Sequence, residues 1–210
     1  MGYSAERHHR HGKHSQHGNE SGDSTQPLGN LRNHFLIAMP SLNDSIFSHT
    51  ITYLCDHSSD GAMGLVINQP LGIDMTEVYK QLNCEQISQD TPAPVLCGGP
   101  VQPERGFILH SPEQMWDSSL AVSDEVMLTA SRDIIEAMAR GEGPHKAQVT
   151  LGYAGWGPGQ LESEIADNAW LTLPADSRII FDTPIEQRWA AASQQLGVDM
   201  NLISGIAGHA

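Results

Sequence analysis

Positive charge is what this 210-residue sequence has least of: 11 Lys and Arg stand against 25 Asp and Glu, for a formal charge of −14. The first 26 residues do not cause the imbalance, because they hold three basic residues (Arg7, Arg10, Lys13) and three acidic ones (Glu6, Glu20, Asp23). A body this acidic repels polyanions, which argues against tight nonspecific binding to nucleic acid or to anionic lipid. Cysteine is scarce too. Cys55, Cys84 and Cys97 are an odd, widely spaced set with no Cys-x-x-Cys pair, which excludes a disulfide scaffold and points to free thiols in a reducing cytosol. No apolar run approaches the roughly 18 residues of a membrane span, and the N-terminus lacks the apolar core of a secretion signal. These absences lead us to expect a cytoplasmic protein with no membrane partner.

The polar N-terminus is rich instead in His, Ser, Gly, Asn and Gln, with five of the chain's 11 histidines at positions 8, 9, 11, 14 and 17. Residues 1–27 have too few apolar side chains to offset the entropy of ordering, so we expect disorder there, as a metal-scavenging tail or as an appended leader. Residues 28–210 are long enough for one domain with a sizeable core.

Along that body, strand patterns occur at 34–40, 50–55, 64–68, 95–97, 107–110, 120–122, 126–128, 147–151, 170–173 and 179–181. Asp60-Gly61 marks a hairpin turn. Helical spacing places Met75, Val78, Tyr79 and Leu82 on one face behind Asp74 as N-cap, with further helices at 131–140 and 185–196, the last capped by Asp182 or Thr183. Strands outnumber helices and do not alternate with them regularly, which favours an α+β architecture over a doubly wound sheet.

One stretch stands apart: Gly152-Tyr-Ala-Gly-Trp-Gly-Pro-Gly-Gln-Leu-Glu-Ser-Glu164. It reads as a strand-to-helix turn. Leu161, Ile165 and Ala169 are spaced to face the core, and Glu162 and Glu164 point elsewhere. Tyr153, Trp156, Gln160 and Glu162 lie close together in it, and Trp156 in a glycine-rich turn is the residue best suited to a binding surface.

Several blocks together resemble the AlgH/YqgE family of bacterial proteins. They are His34-Phe-Leu-Ile-Ala-Met-Pro40, His57 with Gly61-Ala-Met-Gly-Leu-Val-Ile-Asn68, Gly98-Gly-Pro-Val101, Arg105-Gly-Phe-Ile-Leu-His110, Gly152 to Glu162, Asn168-Ala-Trp-Leu171 and the stretch 205–210. The resemblance runs from about residue 30 to the C-terminus. Gln69 departs from it where relatives are often basic, and Cys97 sits where they vary. It implies a strand-rich α+β domain whose forked sheet folds into a pseudo-barrel with flanking helices. Some members carry the label of a transcriptional regulator, after a genetic link to alginate production, but the label is not a mechanism. The family supplies no catalytic residues, and none is assigned.

Other constellations have simpler readings. The turn lacks the Lys-Ser/Thr of a phosphate loop and the spacing of a dinucleotide fingerprint, and Pro158 removes an amide. His57, His110 and Glu162 have no metal-ligand spacing. Cys97 has only Arg105 nearby to lower its pKa, so a packed thiol suits it better than a nucleophile. The expectation is a non-enzymatic binding or regulatory module, needing no cofactor or metal, that meets an unknown protein or small ligand around Tyr153, Trp156, Gln160 and Glu162. The alternative is an enzyme built on His57, Asn68, His110 and Glu162. A DNA regulator comes last, disfavoured by charge and by the lack of a helix-turn-helix pattern.

Overall fold

Period-two alternation builds the sheet. In β1 (His34–Ala38), Phe35 and Ile37 enter one apolar cluster while Leu36 and Ala38 enter another on the opposite face. The same alternation runs through β2 (Ile51–Ser58), where Ile51 and Tyr53 share the first cluster and Leu54 the second. Both faces are therefore covered, and β1 reads as an unbroken hydrophobic run. The computed structural model describes residues 29–39, 46–84 and 93–197. The His-rich leader, expected to be disordered, and the block at 205–210 lie outside them.

Within the described residues the remaining strands are β3 (Gly61–Val66), β4 (Pro70–Asp74), β5 (Pro94–Cys97), β6 (Val101–His110), β7 (Leu120–Ala121), β8 (Met127–Thr129), β9 (Ala147–Trp156) and β10 (Trp170–Pro174). The helices are α1 (Met75–Gln81), α2 (Arg132–Ala139), α3 (Gln160–Ala166), α4 (Ser177–Phe181) and α5 (Arg188–Gln195). The strands form an open, curled, mostly antiparallel half-barrel in the order β10-β1-β2-β3-β9-β6-β8-β7. No helix among the described residues is long and apolar enough to cross a membrane.

The sheet forks at β9. Along one edge it pairs with β6 from Ala147 to Tyr153. Along the other it pairs first with β5, in parallel at Thr150 and Leu151, and then with β3 from Ala154 to Trp156. To go from β5 to β6 the chain must cross β9, and it does so at Gly98-Gly99 over Gly152. A Cβ on Gly98 would strike the Gly152 carbonyl, and one on Gly99 would strike the Tyr153 carbonyl and the Ala154 nitrogen. Backbone passes backbone there, so no side chain fits.

Helices close the layers. Ile179, Ile180 and Ala192, from α4 and α5, pack on the Phe35–Tyr53 side; Leu161 of α3 packs on the Leu36–Leu54 side. A third cluster joins Met75 and Val78 of α1 to Ile134 and Ile135 of α2 over Ile108 and Val149. Asp74 caps α1 in full, accepting from Thr76 and Glu77 amides while the Glu77 side chain accepts from the Asp74 amide, as its sequence suggests. Arg188 pins α5 in place: its buried guanidinium donates to the Ile67 carbonyl at 2.6 Å, Gln148 Oε1 at 3.0 Å and the Thr183 carbonyl at 3.1 Å. Burial lowers its pKa to about 10, against the opposing charge of Glu186.

Three local readings change. Residues 179–181, expected as a strand, belong to helix α4, because Asp176 caps that turn by accepting the Arg178 amide and two isoleucines reach the core from it. Neither Asp182 nor Thr183 caps the last helix, which begins with a 3₁₀ turn (Ile185–Gln187) behind Pro184. The glycine-rich stretch is itself strand as far as Trp156, so the turn shrinks to Gly157-Pro158-Gly159, with Gly159 at φ +71° as the N-cap of α3.

Candidate functional site

Because the stretch up to Trp156 is strand, its side chains alternate, and the pleat separates residues that the sequence places side by side. Trp156 pairs with Ala62 across β3, and Ala62 pairs with His57 across β2, so these three form one row on one face. Gly155, Met63 and Asp56 form the adjacent row on the other face. A bulge decides which β2 residue goes where. The register steps from Leu54 opposite Gly64 to Asp56 opposite Met63, leaving Cys55 as the extra residue. Without it, strict alternation would put Asp56 beside Trp156 and turn His57 away.

On the tryptophan face each indole, imidazole and carboxylate is engaged with a neighbour. Glu164 of α3 is the hub: its Oε2 accepts the indole N–H of Trp156 at 2.9 Å and of Trp170 at 2.8 Å, and its Oε1 accepts the Gln160 amide at 2.9 Å. Gln160 in turn accepts the Gly157 N–H at 3.0 Å, removing a donor that a phosphate cradle would need. Trp156 and Trp170 meet edge to face with centroids 6.0 Å apart, and Phe47 packs on both. The Trp156 residue is only 6% exposed. The expectation that its ring is a binding surface is therefore corrected: it is a core anchor. Glu164, expected to point away, was missed because its partner is polar. It lies three residues from buried Leu161, a spacing that shares a helix face.

His57 and Glu162 are brought together on the same face, Nε2 to Oε1 at 2.9 Å. The Leu31 N–H donates to His57 Nδ1 at 2.9 Å, so Nδ1 carries the lone pair and Nε2 the proton given to Glu162. Both ring nitrogens are thus occupied. The Glu162 backbone amide and then the His57 ring hold the Glu162 carboxyl below its usual range, against the opposing effect of burial.

The other two candidates lie elsewhere. His110 pairs with Ala147 at the start of β9, about 30 Å from Trp156 at ~3.3 Å per residue. It is fully buried; its Nδ1 donates to the Ser111 carbonyl at 2.8 Å, so its Nε2 accepts from Thr129 Oγ1, also at 2.8 Å. Thr129 Oγ1 then accepts from Ser119 Oγ at 2.8 Å, and Ser119 Oγ accepts the Trp116 amide. Burial lowers the His110 pKa, opposed by the Ser111 carbonyl. Asn68 staples a turn, accepting the Ile51 N–H and donating to the His49 carbonyl. His57, Asn68, His110 and Glu162 therefore do not converge on one site.

The opposite face opens into a cleft of about 590 Å³. One wall is the β2–β3 hairpin, with Asp56, Ser58, Asp60 and Met63; the other is β6 and β9, with Val101, Arg105, Phe107 and Tyr153. Trp156 contributes only the little of its surface that is exposed, and Gln160 and Glu162 do not line it. A second register shift shapes this cleft. Val101 faces Tyr153 but Gly106 faces Leu151, so residues 102–105 loop out opposite Gly152. Arg105 returns from that loop to lie 5.1 Å over the Phe107 ring, and Tyr153 meets the same ring edge-on at 5.7 Å. Among the described residues the Asp60 carboxylate and the Tyr153 hydroxyl have no hydrogen-bond or ion-pair partner, while the Asp60 N–H donates to Ser58 Oγ at 3.2 Å. Asp56 takes only the His57 backbone N–H, and Arg105 donates only to Gln102. Sequence reasoning found Tyr153 and missed Asp56, Asp60 and Arg105, for which the Cys55 bulge and the 102–105 loop left no periodic signal.

Comparison with known proteins gives a consistent result. The AlgH-like family profile matches residues 35–201. A UPF0301 protein of Thioalkalivibrio sulfidiphilus is 58% identical over 181 residues, covering 86% of this chain and 97% of its own. One of Saccharophagus degradans is 51% identical over 192 residues, covering 91% and 95%. The solution structure of the AlgH protein from Pseudomonas aeruginosa superposes with a TM-score of 0.72 at 46% identity, over 90% of this chain and all of that one. A Corynebacterium diphtheriae protein shares the fold alone, with a TM-score of 0.67 at 17% identity over 83% of this chain and 91% of that one.

Proposed function

The chain belongs to the AlgH-like family, and we propose that it works as a non-enzymatic cytoplasmic binding module whose ligand or partner enters the cleft between the β2–β3 hairpin and β6–β9. One contrast carries the reading: both candidate histidines spend both ring nitrogens on internal hydrogen bonds, while in the cleft the Asp60 carboxylate and the Tyr153 hydroxyl are unspent and Asp56 and Arg105 each make a single hydrogen bond among the described residues. A general base needs a free lone pair within reach of a substrate proton; a binding site needs unspent donors and acceptors around an apolar floor. The floor here is Met63, Val101, Phe107 and Tyr153. With two carboxylates facing one guanidinium, the cleft does not suit a polyanion, in keeping with the acidic body.

A thermal-shift screen of polar small molecules and peptides, run beside Asp60→Asn and Arg105→Ala, tests this. Compounds that raise the melting temperature of the native chain should lose that effect in the two variants, keep it in His110→Gln, and be recovered chemically unchanged. Turnover of a hit, abolished by His57→Gln or His110→Gln, would refute the reading and restore the enzymatic one.

A further inference from the structure

We infer that the cleft takes a short zwitterionic peptide, two or three residues long, with its cationic N-terminal end against Asp56 and Asp60 and its carboxylate against Arg105. The inference rests on the binding-module reading and names its ligand class.

Charge placement comes first. The two carboxylates stand on the β2–β3 wall and the guanidinium on the β6 wall, and they are not paired with one another within the 4 Å of an ion pair. A ligand carrying one sign only would meet repulsion from one wall, so a polyamine is opposed by Arg105 and a nucleotide or sugar phosphate by the aspartates. A dipolar ligand meets attraction at both ends.

Span selects the length. β2 and β6 are three steps apart in the sheet, across β3 and β9, which is about 14 Å at ~4.8 Å per step. Curl of the half-barrel and the reach of the Arg105 side chain shorten that gap. A free amino acid is too short to bridge it, whereas an extended tripeptide reaches about 10 Å at ~3.4 Å per residue. The middle of the cleft then matches the middle of a peptide. Met63 and Val101, above the largely buried Phe107 ring, offer apolar cover to a side chain, and the free Tyr153 hydroxyl offers a hydrogen bond to a peptide group.

Both walls owe their charges to local departures from a regular ladder. The Cys55 bulge turns Asp56 into the cleft, and the 102–105 loop delivers Arg105 to it. Bulges that re-aim side chains are common beside binding sites. Neither charge contributes an internal salt bridge that would explain its position by stability.

The experiment is isothermal titration of the full chain at low salt with three probes: Lys-Ala-Phe with free ends, its C-terminal amide, and an N-acetyl analogue with norleucine for lysine. The free peptide should bind best. Amidation should weaken it about tenfold in the native chain and have no effect in Arg105→Ala. Removing the positive charges should weaken it about tenfold in the native chain and have no effect in an Asp56→Asn, Asp60→Asn double variant, whose melting temperature checks that the fold is kept. Equal binding of all three probes, or losses that persist in the cleft variants, would overturn the inference. If no peptide binds but another compound class loses affinity in Arg105→Ala, the ligand class is wrong and the binding module stands; if no compound touches the cleft, both fall.

Discussion

The ribbon made by β3 and β9 has two faces of similar composition and opposite character. On one, Trp156, Trp170, Gln160, His57, Glu162 and Glu164 form a closed set in which each ring nitrogen and carboxylate meets a partner. On the other, Asp56, Asp60, Arg105 and Tyr153 surround a cleft and satisfy little of one another. The same alternating backbone supplies both. Chemically suggestive residues are therefore not a site by virtue of proximity in sequence. A closed network holds the fold, and polar groups left unpaired beside a cavity are the ones available to a ligand.

The strongest way to break this contrast is on the closed face. Trp156→Ala should cost about 3–5 kcal/mol in urea unfolding, since it removes a buried indole from contact with Phe47, Leu161 and Trp170. A loss under about 1 kcal/mol would mean that the ring is not a core anchor. Glu164→Ala should come next, at about 2–4 kcal/mol, because it strands two indole N–H groups at roughly 1–3 kcal/mol each. Glu164→Gln, which keeps one acceptor oxygen, should cost less.

A third prediction concerns pH. Burial lowers the folded-state pKa of His110 below its ordinary 6.5, so the unfolded chain takes up a proton there that the folded chain refuses. His110 therefore contributes stability that is present above pH 6.5 and lost as pH falls from that value through the lowered folded pKa. His110→Gln should flatten that part of the profile relative to the native chain; an unchanged slope would contradict the assignment. Glu162, held low by its own amide and by His57, adds a separate loss only below its ordinary 4.5.

Much of the fold could be read from the sequence because alternation and capping are local. The β1 run, the Asp60-Gly61 turn and the Asp74 cap needed no tertiary information. Residues 179–181 misled because Ile-Ile-Phe carries strand propensity, while the Asp176 cap and core contacts on one side decided for helix. At the site, parity was the overlooked clue: Tyr153 and Trp156 differ by an odd number, so a strand must send them to opposite faces. The glycines hid that strand. Asp56 and Arg105 were not readable at all, since a one-residue bulge and a four-residue loop cancel the periodicity on which such arguments depend.

The smallest expected effect lies on the open face. Tyr153→Phe and Asp60→Asn should each change unfolding free energy by no more than about 0.5 kcal/mol, because they break no internal network, and Arg105→Ala by no more than about 1 kcal/mol, the contribution of its contact over the Phe107 ring. A cost of 2 kcal/mol or more, on the order of a lost buried network, would show that the cleft is structural after all.

The central claim, that one face holds the fold and the other meets a ligand, is tested most directly by a nitrogen–proton NMR map recorded as a mixed peptide and small-molecule library is added. The account predicts shifts in the amides of residues 56–63, 105–107 and 153–155, with the indole signals of Trp156 and Trp170 unmoved. Shifts centred on those indoles and on the amides of residues 160–164, with the cleft silent, would contradict it.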